Sequence, residues 1–133
     1  LGLLLGGYLG DRFDKRWICT FCMFSNGAGI LLLAYTEELS IIFLFCIIHG
    51  IAFGIRIPQV VALRAEYFGT KSYGKILGFS SLIVMFGFLG GPMICGFLFD
   101  LYGNYSIAFF AIGIITLLGG VCFILTKEPQ GLN

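Results

Sequence analysis

One apolar run in this chain carries residues able to do chemistry. Between Leu39 and Leu63 the sequence is hydrophobic except for His49, Arg56, Pro58 and Gln59. Measured along a helix with Leu39 as its outer end, His49 lies about 15 Å in and Arg56 about 25 Å in. Seven residues make about two helical turns, so both side chains fall on nearly one face, with Gln59 somewhat off it. Ionisable groups at such depth in lipid are expensive and are functional candidates by default. A guanidinium is a fixed cation that can hold a carboxylate or another anion through a forked hydrogen-bond pair. An imidazole can add a donor or take up a proton. Plainer roles compete: Arg56 snorkelling to the interface or bridging to a carboxylate elsewhere, and His49 acting as a satisfied interhelical hydrogen bonder.

Composition places that run in a membrane. The chain has 133 residues, is 59% hydrophobic and 11% charged, and holds 20 glycines and 15 phenylalanines, with a mean hydropathy of +1.00. Soluble domains carry roughly 25% charged residues, and a chain this apolar could not cover its own surface in water. The formal net charge of +1 and the absence of a basic patch exclude a nucleic-acid partner. The five cysteines, Cys19, Cys22, Cys46, Cys95 and Cys122, all sit in apolar segments, and their odd number argues against a full disulfide framework. Cys19 and Cys22 make a C-x-x-C, but with no second pair and no nearby His they read as small packing residues rather than metal ligands. No Walker-type phosphate loop, Ser/His/Asp set or intramembrane carboxylate pair is present, so an ATP site and an enzyme are not expected, nor is a metal or cofactor.

The elements that must position these residues are helices. Leu1 to Leu9 is apolar but too short to cross, since a crossing takes about 20 helical residues. It reads as the end of a helix that began earlier, and the chain as the tail of a longer protein. Trp17 to Thr36 is free of charge and long enough to cross once. Glu37 and Glu38 make a short acidic turn, and the run from Leu39 to about Leu63 crosses back. A loop with Arg64, Glu66, Lys71 and Lys75 follows. The next crossing spans about Ile76 to Phe99, a polar turn runs from Asp100 to Tyr105, and Ser106 to Thr126 is the last crossing before Lys127-Glu128-Pro129. The expected fold is all-α and polytopic, with four complete transmembrane helices, about 17–36, 39–63, 76–99 and 106–126, plus one partial helix.

Charge sets the expected orientation. Arg12, Lys15, Arg16, Arg64, Lys71, Lys75 and Lys127 fall on one side of this alternation, while the opposite turns hold Glu37, Glu38 and Asp100. Cationic loops stay cytoplasmic, so residues 10–16, residues 64–75 and the C-terminus are expected there, in a multi-pass cell-membrane protein. Trp17, Tyr67, Tyr73, Tyr102 and Tyr105 lie near predicted helix ends, where amphipathic rings suit the headgroup zone. The glycines are read first as packing residues. Gly50 and Gly54, and Gly87 and Gly91, form G-x-x-x-G pairs, and Gly96 is a further packing or kink candidate. Pro58 and Pro92 each remove a backbone donor and are expected to kink their helices, with Gly87 to Pro92 as a candidate bending point.

The loop between the first two apolar runs resembles that of the major facilitator superfamily. That family's motif, roughly G-x-L-x-D-R-x-G-R-R, is matched by Gly7, Leu9, Asp11, Arg12, Lys15 and Arg16. Asp14 stands where the family has a second glycine; Asp tolerates a left-handed backbone, so the turn is expected to survive. A second resemblance runs through Ala65-Glu66-Tyr67-Phe68-Gly69, Tyr73-Gly74, Gly78, Gly91-Pro92, Gly96, Asp100, Gly103, Tyr105 and Phe109, and is nearest to the monocarboxylate and oxalate/formate type of member.

The resemblance implies that the chain covers the end of helix eight through helix twelve, in the C-terminal half of such a fold. It also implies that the helix with His49 and Arg56 lines a central cavity while Trp17–Thr36 and Ser106–Thr126 are peripheral. Asp11 and Arg12 would then gate the cytoplasmic side by pairing with the N-terminal half. The function implied is secondary transport of a small solute by alternating access, with a carboxylate as the candidate class and a proton as a candidate coupled ion. His49, Arg56 and Gln59 are the substrate-binding candidates; the partners are the lipid bilayer, the solute and the N-terminal half of the same chain. The alternative is a short four-helix assembly or scaffold subunit without transport activity.

Overall fold

The computed structural model describes residues 2–36 and 38–126, and they form helices joined by short turns. The side chain of Lys71 and the residues Glu37, Lys127, Glu128 and Pro129, used above in the charge and turn assignments, lie outside the described part. The first helix, α1, is Gly2–Arg12, and the second, α2, is Lys15–Leu33. A helical run of 64 residues, Leu39–Tyr102, follows, broken inside at Gly69. Its two parts are α3, Leu39–Gly69, and α4, Tyr73–Tyr102. The last helix, α5, is Ser106–Leu125. Among the described residues α2, α3, α4 and α5 are each long and apolar enough to cross a membrane, with α1 as the fifth helix.

Two elements differ from the sequence expectation. The charged segment 64–75 is not a loop: helix continues to Gly69 and is again in force at Tyr73. Charged side chains end a membrane crossing, but Arg, Glu and Lys are good helix formers, so the helix projects past the hydrocarbon edge until glycine permits a turn. Gly69 has φ 66° and ψ 171°, a conformation that side chains exclude. The turn before α2 also closes differently. Asp14 has φ −59°, not a left-handed value, and instead caps α2 by accepting from the Arg16 backbone N–H at 2.9 Å.

At the far end, Gly103 adopts φ 71° and donates its N–H to the Phe99 carbonyl, closing α4, and Asn104 Oδ1 accepts from Ser106 N–H at the start of α5. Helical backbone angles persist through Pro58 and Pro92.

Glycine seams hold the helices together. In lipid the drive for helix association is close packing, which small residues allow. Gly2, Gly6 and Gly10, four residues apart on α1, lie against α3: a Cβ on them would fall 2.8 Å from Ile51 O, 2.8 Å from Ile55 O and 2.5 Å from Gln59 Oε1 in turn. The rising partner numbers make α1 and α3 parallel. In the α2–α5 seam a Cβ on Gly27 would meet Leu117 at 2.7 Å and one on Gly113 would meet Leu31 at 2.7 Å, an antiparallel register. Of the glycines singled out in the sequence, Gly54 packs against Gly2, with its Cβ position 3.0 Å from Gly2 Cα. At Gly50, Gly87, Gly91 and Gly96 an added Cβ would meet nothing within 4 Å, and no residue of α4 is buried.

Candidate functional site

Helix α3 presents two polar levels to its neighbours, and they do different work. Gln59 is 2% exposed and its Nε2 donates to the Gly6 carbonyl at 2.5 Å. It sits three residues beyond Arg56, about 60° around the helix, and that offset puts it in the α1–α3 seam. There it serves as a hydrogen-bonded packing residue beside Gly10, which has no side chain to obstruct it.

Arg56, on the adjoining side of α3, faces a cleft of about 470 Å³ between α3 and α4. The α3 wall is a helical stripe, Phe53, Arg56, Val60 and Arg64, and α4 supplies Ser81, Val84 and Phe88. Met23 of α2 and Phe123 of α5 also line it. The guanidinium is half-buried: Nη1 donates to Met23 Sδ, and the group lies 5.5 Å from the Phe53 ring centre. Both contacts are soft and uncharged, and no carboxylate pairs with Arg56 among the described residues. A fixed cation on apolar walls is a chemically apt receptor for the charged head of a small amphiphilic anion.

Arg64 also lines this cleft, and with it a second one of about 300 Å³ that reaches the helix ends at Arg16, Tyr67 and Thr126. From the sequence alone Arg64 reads as a loop charge. Its spacing from Arg56, through Val60 in steps of four, was the available signal.

His49 lies a level deeper in α3. Its ring centre is 5.2 Å from that of Phe45 and 6.1 Å from that of Phe53, one helical turn to either side. It does not line the Arg56 cleft. Arg56 and Arg64 therefore share one cleft, whereas His49 lies on nearly the same side of α3 at a deeper level outside it and Gln59 is turned into the α1 seam.

The loop-motif residues gather at the end of the bundle marked by Arg16, Arg64 and Thr126. Lys15 Nζ pairs with Glu66 at 2.7 Å, tying the start of α2 to the end of α3. Arg16 binds the Asp14 carboxylate at 2.5 Å and donates from Nη1 to the Thr126 carbonyl at 2.9 Å, tying α2 to the end of α5. The Arg16 hydrogen bond is the main reason the Asp14 carboxyl is held below its usual pKa of 3.8; partial burial opposes it. Asp11 and Arg12 are exposed at the end of α1, where the Arg12 guanidinium lies 4.7 Å from the Tyr8 ring centre. Gly7 and Leu9 lie in the same two turns of α1, and a Cβ on Gly7 would meet nothing within 4 Å. Cys19 and Cys22 are free and buried in α2.

Known proteins agree with this picture at the level of family. Sugar phosphate exchanger 3 of Homo sapiens is 29% identical over 143 aligned residues, covering 100% of this chain and 28% of that protein. Quinolone resistance protein NorA of Staphylococcus aureus is 26% identical over 126 residues, covering 94% of the chain and 32% of that protein. Multidrug resistance protein B homolog of Mycobacterium tuberculosis is 27% identical over 97 residues, covering 73% of the chain and 18% of that protein. The chain thus spans about a third or less of the length of these relatives, and none of the three is named as a monocarboxylate or oxalate/formate transporter. No solved structure matches. The Major Facilitator Superfamily profile, however, matches residues 1–133, from the glycine stripe of α1 to the last residue, and this multi-pass membrane chain belongs to that superfamily.

Proposed function

We propose that this chain is the C-terminal part, end of helix eight to helix twelve, of a secondary transporter that moves a small anionic solute by alternating access, with carboxylates as the leading class. The observation that carries the reading is Arg56: a half-buried cation in a largely apolar cleft, held by a thioether and an aromatic face rather than by a carboxylate. Keeping such a charge in a membrane helix is costly unless an anion meets it. Relatives named as an exchanger and as resistance proteins support transport rather than catalysis.

In this reading the Lys15, Arg16 and Arg64 end is cytoplasmic, and the exposed pair Asp11 and Arg12 latches onto the preceding half of the polypeptide in one of the two access states. Asp11→Asn weakens that latch.

The test is uptake by the full-length protein in proteoliposomes, with labelled monocarboxylates, phosphate monoesters and neutral solutes offered separately. Arg56→Gln should abolish anion uptake, and Arg56→Lys should raise KM, because an ammonium cannot make the forked contact. An Arg56→Lys protein with unchanged uptake and affinity would exclude a forked contact. Uptake of no solute above empty vesicles would favour the scaffold-subunit alternative.

A further inference from the structure

Two buried polar atoms in the membrane part of the molecule have no partner among the described residues: Asn26 Oδ1 on α2 and His49 Nδ1 on α3. Asn26 is 3% exposed, so its amide oxygen has no access to solvent. An isolated buried amide oxygen or ring nitrogen is unfavourable in any apolar surrounding, and more so where no bulk water is near.

The register of the seam puts these two atoms at one level. Arg56 reaches Met23 at one point, and a Cβ on Gly29 would fall 2.6 Å from Phe45 Cδ2 at another. Between these contacts α2 advances six residues, 23 to 29, while α3 recedes eleven, 56 to 45: the direction is antiparallel, and the long Arg56 side chain, leaning toward the N-terminus of α3, takes up the difference. Midway lie residue 26 on α2 and about residue 50 on α3. The faces agree as well. Met23, Asn26 and Gly29 recur every three residues on α2, and Phe45, His49 and Phe53 every four on α3, each a single helical stripe. Phe45 meets α2 at Gly29, Phe53 shares the Arg56 cleft with Met23, and the His49 ring packs between those two phenylalanines.

We propose that Asn26 and His49 form one polar pair across the α2–α3 seam, bridged by one water that accepts from His49 Nδ1–H and donates to Asn26 Oδ1. The chemistry is complementary: the amide oxygen only accepts, and a neutral imidazole carries its hydrogen on one nitrogen alone. Fixing that hydrogen on Nδ1 leaves the lone pair on Nε2, which becomes the ring's proton-accepting atom. Asn26 is thus a positioning residue for His49, acting from a helix whose sequence contains no charge between Trp17 and Thr36. The pairing does not depend on which solute is carried.

Two measurements on the full-length protein test it. In a background with Cys19, Cys22, Cys46, Cys95 and Cys122 replaced, Asn26→Cys with His49→Cys should cross-link in high yield with a short bifunctional thiol reagent. The control, Asn26→Cys with Phe43→Cys, should not, because Phe43 is exposed on another face of α3. Absence of the 26–49 cross-link would overturn the pairing. Nitrogen-15 spectra of histidine-labelled protein, with the His49 ring assigned by its loss in His49→Gln, should show the Nδ1–H tautomer. Asn26→Leu should shift that ring toward the Nε2–H form, whereas Asn26→Asp, which keeps an acceptor at the same position, should retain Nδ1–H. A His49 spectrum indifferent to Asn26→Leu would refute the hydrogen bond even if the cross-link forms, and the cross-link decides the pairing if Asn26→Leu does not fold.

Discussion

Adding one methyl group at Gly6 tests the α1–α3 seam more sharply than any other single change. An Ala side chain there would stand 2.8 Å from the Ile55 carbonyl oxygen, 2.8 Å from Pro58 Cγ and 3.0 Å from Ile55 Cα. Ordinary contact needs roughly 3.5 Å, and a backbone carbonyl and a proline ring cannot swing aside, so the helices must separate. Separation strains the bond from Gln59 Nε2 to the Gly6 carbonyl, whose donor is only 2% exposed. Overpacking costs about 1–3 kcal/mol. A weakened buried hydrogen bond costs about 0.5–1.5 kcal/mol. Ala in place of Gly returns roughly 1 kcal/mol of helix propensity. The expected net loss for Gly6→Ala is about 1–3 kcal/mol. Gly7→Ala, one residue on, meets nothing within 4 Å and keeps only the propensity gain. Thermal unfolding of the full-length protein in detergent should therefore move in opposite directions for the two variants. Combining Gly6→Ala with Gln59→Leu should cost less than the sum, because both act on one contact. Equal shifts for Gly6→Ala and Gly7→Ala, or strict additivity with Gln59→Leu, would mean that the seam is not packed as described.

Three further outcomes follow from local geometry. Gly69→Ala, at φ 66° and ψ 171°, should destabilise by about 1–3 kcal/mol. Gly103→Asn, at φ 71° and ψ 6°, should cost well under that, since Asn adopts this left-handed conformation; thermal midpoints in the reverse order would contradict the assigned turns. Asp14→Ala should lose the α2 cap, about 0.5 kcal/mol given how exposed the site is. The Asp14 pKa is lowered by Arg16, so its stabilisation is complete above the unfolded value near 3.8 and disappears as pH falls through the folded value. The gap between parent and Asp14→Ala should close below pH 3.8, and a gap that persists in acid would exclude the carboxylate as its source. The Lys15–Glu66 pair is 27% and 40% exposed, so Glu66→Gln should shift stability by at most about 1 kcal/mol, less at high salt. A larger, salt-independent loss would show that Glu66 does something beyond that pair.

What could be read in the sequence, and what could not, divides along a physical line. Uninterrupted apolar length marks a crossing, so the spans near residues 17–36, 39–63, 76–99 and 106–126 were visible without any partner. Arg56 and His49 stood out because charge and imidazole are rare in lipid. The turn at Gly69 was masked by Arg64, Glu66, Lys71 and Lys75, which mark the membrane edge but not the helix end. Gln59 looked like a neighbour of Arg56, and only the parallel placement of α1 shows that it faces Gly6 and Gly10. The Gly2, Gly6, Gly10 stripe was overlooked because a spacing of four has meaning only with a helix lying against it. Asn26 gives no charge signal in the sequence, although an amide in an apolar helix also needs a partner.

The polar groups inside the crossings can be sorted by what already satisfies them. Hydroxyls are served by their own helix: Thr20 donates to the Arg16 carbonyl at 2.8 Å, Thr116 to that of Ile112 at 2.8 Å and Ser80 to that of Leu77 at 3.1 Å. Gln59 is served by the neighbouring helix α1. Such groups hold the scaffold together and ask nothing of a ligand. Arg56 is of a different kind, because a thioether and an aromatic face solvate a guanidinium without neutralising it. Arg56, with Arg64 nearer the end of α3, lines a cleft with no carboxylate paired to either among the described residues, and on stability alone a methionine of similar length would serve better at position 56. A residue kept at a net expense to the fold is best explained by what it binds. If the chain is part of a transporter as proposed, that ordering, satisfied amides and hydroxyls for architecture and an unneutralised cation for recognition, makes the α3–α4 cleft the first place to test for solute selectivity.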